Sequence, residues 1–562
     1  MTHPSEPAPR TPIFSGEPFE RVVAVLIALV TIIAAVVGYL QGQASIRSDR
    51  ALREAQTFAI EALSQKAAGE IEIGYAWTDL WRSWSELDSQ AVIAADFDDA
   101  AAAERYDTVR DRLIGLSPLL APPYFDPEQD DEPDVAAYEA DLYVVNSTYL
   151  TERFLATFEM SEAWGDKADT YVAHLTILAV TLFLYGLSVT LLGQVRWLFV
   201  VLGSLFALVT VVWVIAVYTR PISIPSEPAI RAYAEGVGRL HQESPEAAIV
   251  SFDQALALAP AYADAYFERG NAYFDLEQLD QAAANYEMAV NAGRGDISTI
   301  MELGRVYYFQ GRLADALRLV QTELTLGPDH VVSYLDLGLV NLAAGQGEAA
   351  QGAFEQAMTL AGQQVAAARA AGQEPPDSLW WYLDVAATDL DSLSACLTDQ
   401  ECDATPPYDI VSRSVPDVAV VDAVAQQLKE LTVALEYTGR PPDPSTGVDI
   451  SSFEFAAELY DDNDEFIDYD ITDTFPADIG DVIVLLTYDG MQDGQQVVVK
   501  VFLDGEEDPT LRVLETWDQG QAGETELLLS TGLLSTFTPG EYWVEMYVDS
   551  HLVAQEGFTV EE

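Results

Sequence analysis

Three uninterrupted apolar runs dominate the first 220 residues: 22–40 (19 residues), 172–192 (21 residues, with His174 its one ionisable group) and 197–218 (22 residues). A helix rising about 1.5 Å per residue needs about 20 residues to cross a hydrocarbon layer, so each run predicts a transmembrane helix. Only Gly193, Gln194, Val195 and Arg196 separate the last two, which predicts a helical hairpin, and Trp197, Trp213 and Tyr218 suit interfacial positions. Three crossings put everything beyond 220 opposite the N-terminal tail, 1–21. A long signal peptide over the first run would leave the remaining arrangement unchanged. Between the first two runs, 41–170, the spacing changes to helical amphipathicity: Ile71, Tyr75, Trp77, Leu80, Trp81, Trp84 and Leu87, then Tyr138, Leu142, Val145, Tyr149 and Phe154. This predicts a helical bundle continuous with the first two spans, its tryptophans forming core.

Beyond the third run a longer period takes over. Gly236, Gly270, Gly304 and Gly338 recur every 34 residues, and Ala248, Ala282, Ala316 and Ala350 repeat the interval twelve residues later. Phe252, Tyr286, Val320 and Phe354 hold a bulky site, Ala255, Ala289 and Ala357 a small one, and Pro260 and Pro328 end units. Over 227–362 this pattern resembles the tetratricopeptide repeat family, four units of two helices each. Small residues let the paired helices approach, large ones fill the gap between units, and each hairpin covers its apolar face only by stacking on the next. The departures are Glu323 at a small site, Arg269 at an aliphatic one and Arg239 at an aromatic one. The helices expected in 363–440 would cap the exposed end of the stack.

The resemblance implies that a protein partner binds on the concave face lined by the first helix of each unit. Projecting the family's groove onto this chain gives Tyr233, Phe267, Met301 and Leu335 in one row, and Leu240, Phe274, Tyr308 and Leu342 in another, with Asn271 and Arg305 beside them. Aromatic and aliphatic side chains stand where relatives that grip an acidic tail carry Lys and Arg. The implied partner is an apolar extended or helical segment, its backbone or a carboxylate met by Asn271 and Arg305.

After a Pro-rich linker at 441–450, residues 451–562 alternate in short runs separated by Gly, Asp and Pro, which predicts an all-β domain. Tyr542 in a Pro-Gly-Glu-Tyr-Trp-Val stretch and the turn from Trp517 to Gly520 resemble an immunoglobulin-like module appended to exported bacterial proteins. The expected fold is therefore a multidomain membrane protein: three transmembrane helices, a helical bundle, an α-solenoid and a C-terminal β-sandwich.

Composition narrows the function. Ninety-one Asp and Glu against 27 Lys and Arg leave a net charge of -64, which repels phosphate backbones and excludes a nucleic-acid binder. The five histidines stand in separate contexts, the four lysines make no phosphate loop, and no nucleophile motif is present, so neither a catalytic nor a metal site nor a cofactor is expected. An EF-hand register starting at Asp461 fails at Phe466 and Thr472 and leaves a solvated acidic loop. Cys396 and Cys402 form a spacing suited either to a small disulfide in an oxidising compartment or to two free thiols. A literal count of basic residues near the spans favours large domains inside, through Arg47, Arg50, Arg53, Arg153, Lys167, Arg220 and Arg231. Those lie on long segments, whereas Arg10, Arg21 and Arg196 lie on short ones, where the positive-inside rule applies. That places the N-terminal tail inside and the large domains outside the plasma membrane. The resulting expectation is a non-catalytic scaffold of the bacterial envelope. A receptor-like sensor acting through 41–170 and a carbohydrate-binding adhesin using Trp517 or Trp543 are the alternatives.

Overall fold

The structure is a computed structural model describing residues 18–97, 99–127, 132–191, 193–222, 224–399, 418–439, 447–460, 466–477, 479–503, 506–531 and 536–561. It forms two compact units, Met1–Gln278 and Leu279–Glu562.

In the first unit, α1 (Pro18–Gly74) passes through a π-helical stretch at Tyr75–Trp81 into α2 (Arg82–Asp96) without leaving the helix. The buried residues of α1 recur every seven positions, Val23, Val30, Val37, Ala44 and Ala51, and after a shift of four resume at Ala55, Ala62, Gly69 and Ala76. This is the period of helices supercoiling about a shared seam. The partner is α5 (Val145–Thr190), running antiparallel, with Tyr171, Leu178 and Tyr185 as its matching heptad row. Small seam residues permit close approach. Ser48 Oγ donates to the Ser161 carbonyl and Ser161 Oγ to the Ser48 carbonyl, both at 2.9 Å, and Gly69 lies under the Tyr143 ring. At the far end α2 pairs with α3 (Ala100–Leu113), where Trp77, Trp81 and Trp84 stack at 6.0 and 5.4 Å and Phe125 closes edge-on, making core of the tryptophan cluster. Helix α6 (Val195–Thr219) returns along α5, and Tyr185 and Ser204 share a hydrogen bond at 3.0 Å.

A short α4 (Val135–Glu139) leads through Ala140–Val144 into α5, and the first repeat docks there. It consists of α7 (Glu227–His241) and α8 (Pro245–Leu258), with α9 (Ala263–Asp275) opening the second. Phe252, fully buried, presses on Gly236, where no side chain would fit. Tyr149 donates to Glu227 at 2.7 Å, His241 Nε2 pairs with Glu139 at 2.7 Å, and the buried Tyr262 hydroxyl donates to Glu152 at 2.5 Å.

The second unit opens with α10 (Leu279–Asn291) and continues with α11 (Ile297–Phe309), α12 (Leu313–Leu326), α13 (Val331–Ala343) and α14 (Gly347–Ala370). Gly338 repeats the Gly236 arrangement, since a Cβ there would lie 2.5 Å from Phe354 Cζ. Two further helices, α15 (Asp377–Asp399) and α16 (Val418–Val433), pair with one another, and α16 also packs on α14.

The remainder is all β. One sheet has the order β2 (Phe466–Ile471), β1 (Asp449–Tyr460), β4 (Asp481–Asp489), β8 (Ala522–Ser530). The other runs β3 (Thr474–Phe475), β10 (His551–Val560), β9 (Gly540–Val548), β5 (Gln496–Leu503), β6 (Glu506–Glu507), with β7 (Val513–Thr516) also on β5. Their inner faces share a core that includes Val484, Leu486, Val499, Val501, Trp517 and Val544. Tyr542 Oη donates to the Thr538 carbonyl at 2.9 Å, four residues back. The outer face of β5 and β9 is covered by α16, with Val433 against Val498 and Tyr547. Lys500 and Glu545, cross-strand partners there, are each only 2% exposed.

Candidate functional site

A groove on stacked helical hairpins is built from the side chains that the first helix of each hairpin turns away from its own second helix. In the first unit Tyr233 on α7 is buried against Phe252 (5.9 Å) and Tyr262 (5.2 Å). On α9 Phe267 is buried, Phe274 is half-buried, and Asn271 Nδ2 donates to Glu268 at 2.9 Å. Tyr233, Val237 and Glu268 face an apolar cleft of about 560 Å³ whose opposite wall is the antiparallel pair of α1, through Ala59, Ala62 and Leu63, and α5, through Thr151 and Phe154. Of the expected groove residues in this unit, Tyr233 lines this cleft, whereas Phe267, Asn271 and Phe274 do not.

In the second unit Met301, Tyr308 and Leu335 are buried and Arg305 is half-buried, and all four line one pocket. Its outer wall is α15, through Tyr382, Val385, Ala386 and Asp389. The chain's own helix thus lies along the first-helix face of α11 and α13 and leaves a cavity of about 40 Å³. Leu342, in the second expected row, is likewise buried.

Glu323 is the unexpected member of this pocket. It occupies the site that Ala255, Ala289 and Ala357 fill in the other units, and its side chain runs inward past α11, with Oε1 3.4 Å from where a Gly304 Cβ would stand. It is fully buried and neither carboxyl oxygen has a partner in hydrogen-bond geometry, the Ser333 hydroxyl standing only near enough to favour its charged form. Burial pushes its carboxyl up to about 8, with the charges on Asp336 and Glu302 adding to the shift and the Ser333 hydroxyl opposing it. Burial also raises Asp336 to about 7, against the pull of Arg305 and with Glu302 and Asp389 adding. The sequence signalled Glu323 only as an exception to the repeat; its destination required the fold.

Both carboxyls hold protons more tightly folded than unfolded. Their contribution to stability is complete below their ordinary values of 4.5 and 3.8 and is lost as the pH rises through the folded values near 8 and 7. Each contributes a slope of at most about 1.4 kcal/mol per pH unit inside that window. Glu323→Gln should therefore gain stability relative to the wild type as the pH is raised from 5.5 to 8, read by urea unfolding with hydrogen exchange in α11 to α13. Parallel curves for the two proteins would contradict the assignment.

A third cleft, of about 630 Å³, lies between the α15 and α16 pair and the six-stranded sheet and is lined by Asp384, Asp391, Lys429, Lys500, Phe502, Trp543 and Glu545. Lys500 Nζ bonds Asp384 at 3.2 Å and Glu507 at 2.8 Å, and Lys429 bonds Glu545 at 2.6 Å as well as Asp391. Of the two tryptophans an adhesin would use, Trp517 is buried and Trp543 is 40% exposed. Cys402 and the side chain of Cys396 lie outside the described residues, as does the acidic stretch 461–465.

Models of the TPR repeat and the tetratricopeptide repeat match residues 242–277 and 263–292. A serine/threonine-protein phosphatase T from Trypanosoma brucei brucei is 36% identical over 84 residues, 14% of this chain and 17% of that protein. That likeness falls on the repeats, and the chain spans less than a fifth of the relative's length. Among solved structures, a tetratricopeptide repeat protein from Parabacteroides merdae is 12% identical over 63% of this chain and 99% of its own, with a TM-score of 0.24. An immunoglobulin-like protein from Pseudomonas aeruginosa is 16% identical over 21% of this chain and all of its own, with a TM-score of 0.17. The chain carries tetratricopeptide repeats, a fold that serves as a protein-interaction module and is generally non-catalytic.

Proposed function

We propose that this protein is a membrane-anchored, non-catalytic scaffold that binds a protein partner through its repeats and displays repeats and β domain outside the cytoplasm of a bacterial cell. The repeat signature carries the binding half of the reading. The site proposed for the partner is the first-helix face, Tyr233, Phe267, Asn271 and Phe274 in one unit and Met301, Arg305, Tyr308 and Leu335 in the other.

The anchoring half rests on an exposed apolar belt. Val25, Leu29, Ile32 and Val36 on α1, Val180 and Phe183 on α5, and Leu198, Val201, Leu205, Leu208 and Val212 on α6 are 44% to 67% exposed. Water would not tolerate so many adjacent apolar side chains on helices long enough to span a bilayer. Arg21 at the start of α1 and Arg196 at the start of α6 support an inward N-terminus. For the C-terminal domain, the Tyr542 bond to Thr538 has the form of the tyrosine corner and supports an immunoglobulin-like reading.

The test is positional photo-crosslinking in cells that make the protein. A photoreactive side chain replacing Glu268 or Phe309, which line the two pockets, should yield one discrete protein adduct. The same group replacing Val250 or Met288, exposed on α8 and α10, should yield none. Adducts from the second pair and none from the first would place the partner elsewhere.

A further inference from the structure

We infer that the pocket formed by α11, α12, α13 and α15 is a receptor for a positively charged side chain, arginine or lysine, carried on the partner segment that the repeats bind. This rests on the reading of the repeats as a protein-binding surface and names the chemistry that surface selects.

Four carboxylates converge on the pocket, Glu302 from α11, Glu323 from α12, Asp336 from α13 and Asp389 from α15, and among the described residues Arg305 is the only basic side chain lining it. Acidity alone would mean little in a chain of net charge -64. The independent observation is Glu323, fully buried, lining the cavity, with neither oxygen paired in hydrogen-bond geometry. A buried carboxyl without a paired hydrogen bond carries a desolvation cost that a paired one does not. A cation delivered to the cavity removes that cost.

The shape of the pocket selects the cation. Met301, Tyr308, Leu335 and Leu339 offer an apolar wall around the acidic centre, suited to the methylene stem of a long basic side chain with its charged head at the carboxylates. The cavity of about 40 Å³ exceeds the roughly 10–15 Å³ that one water requires and matches a small head group. A metal ion is the poorer occupant, because among the described residues no three His, Cys, Asp or Glu side chains are arranged to hold one. Charge complementarity between this face and a basic segment adds to the attraction. Because Glu323 and Asp336 hold protons near neutral pH in the free protein, an entering cation expels them.

The experiment is calorimetry on the full chain in detergent micelles at pH 7.5, in two buffers of different ionisation enthalpy. The probes are an acetylated, amidated octapeptide of serine and leucine with a central arginine, and the same peptide with citrulline, which keeps the shape and loses the charge. The arginine peptide should bind at least about tenfold more tightly, a difference of about 1.4 kcal/mol, and release protons. Glu323→Gln should reduce the preference to less than about threefold and diminish the proton release, while Glu246→Gln, on the exposed surface of α8, should change neither. Equal binding of both peptides would overturn the cation site and leave the groove reading intact. Binding of neither peptide, or an arginine preference that survives Glu323→Gln, would also overturn it. The crosslinking experiment judges the groove separately.

Discussion

Replacing Phe354 with alanine should cost about 3–5 kcal/mol, the usual penalty for deleting a fully buried aromatic ring. The ring is wholly buried and packed on the Gly338 backbone, which has no side chain to move into the space. Against a total stability of about 5–15 kcal/mol for a domain, this is a large fraction. Repeats couple mainly to their neighbours, so the loss should be concentrated in α13 and α14. Hydrogen exchange should show protection lost there while the β sheets keep theirs, and the calorimetric transition of the second unit should fall. Uniform loss across the β sheets, or no loss in α13 and α14, would contradict the packing described.

A loss of similar size is expected from Lys500→Ala. Lys500 is nearly inaccessible and bonds both Asp384 and Glu507, and its own charge is held in place by those carboxylates despite burial. Removing one partner from a buried ion pair strands the others, typically at about 3–5 kcal/mol. Burial already pushes Asp384 above its ordinary value, and Lys500 restrains that rise. Without the lysine, the folded-state pKa of Asp384 should climb further. The variant's deficit should then be smallest in acid, where the carboxyl is neutral, and grow as the pH rises towards 8. Urea unfolding at pH 5 and pH 8, followed by exchange in α15 and β5, measures both parts. A deficit that shrinks with rising pH would contradict the pairing.

The features legible in the sequence were those that every copy of a structural solution must repeat. Gly236 with Phe252 and Gly338 with Phe354 are the same contact made twice, which is why a 34-residue period survives in the residue types. The apolar runs and the strand alternation were visible because one solvent or one core dictates them. The long seam of α1 was hidden because its packing residues are small, Ala44, Ala51, Ala55, Ala62 and Gly69, and carry little hydrophobic signal. Strand β5, Gln496–Leu503, is buried on both faces because α16 covers its outer side, and its lysine is accommodated by acids brought from α15 and β6. The resemblance to the repeat family also assigned Met301, Tyr308 and Leu335 to the first-helix face. It carried no information about what covers that face, and α15 does.

Labelling with a membrane-impermeant thiol reagent in intact cells tests the scaffold reading most directly. Single cysteines at Glu246 on α8 and at Asp518 beyond β7, both exposed positions, would be introduced in a Cys396→Ser, Cys402→Ser background. An anchored protein with its repeats and β domain outside the cytoplasm should be labelled at both sites before the membrane is permeabilised. Protection of both until permeabilisation would reverse the orientation and make the repeats a cytoplasmic adaptor.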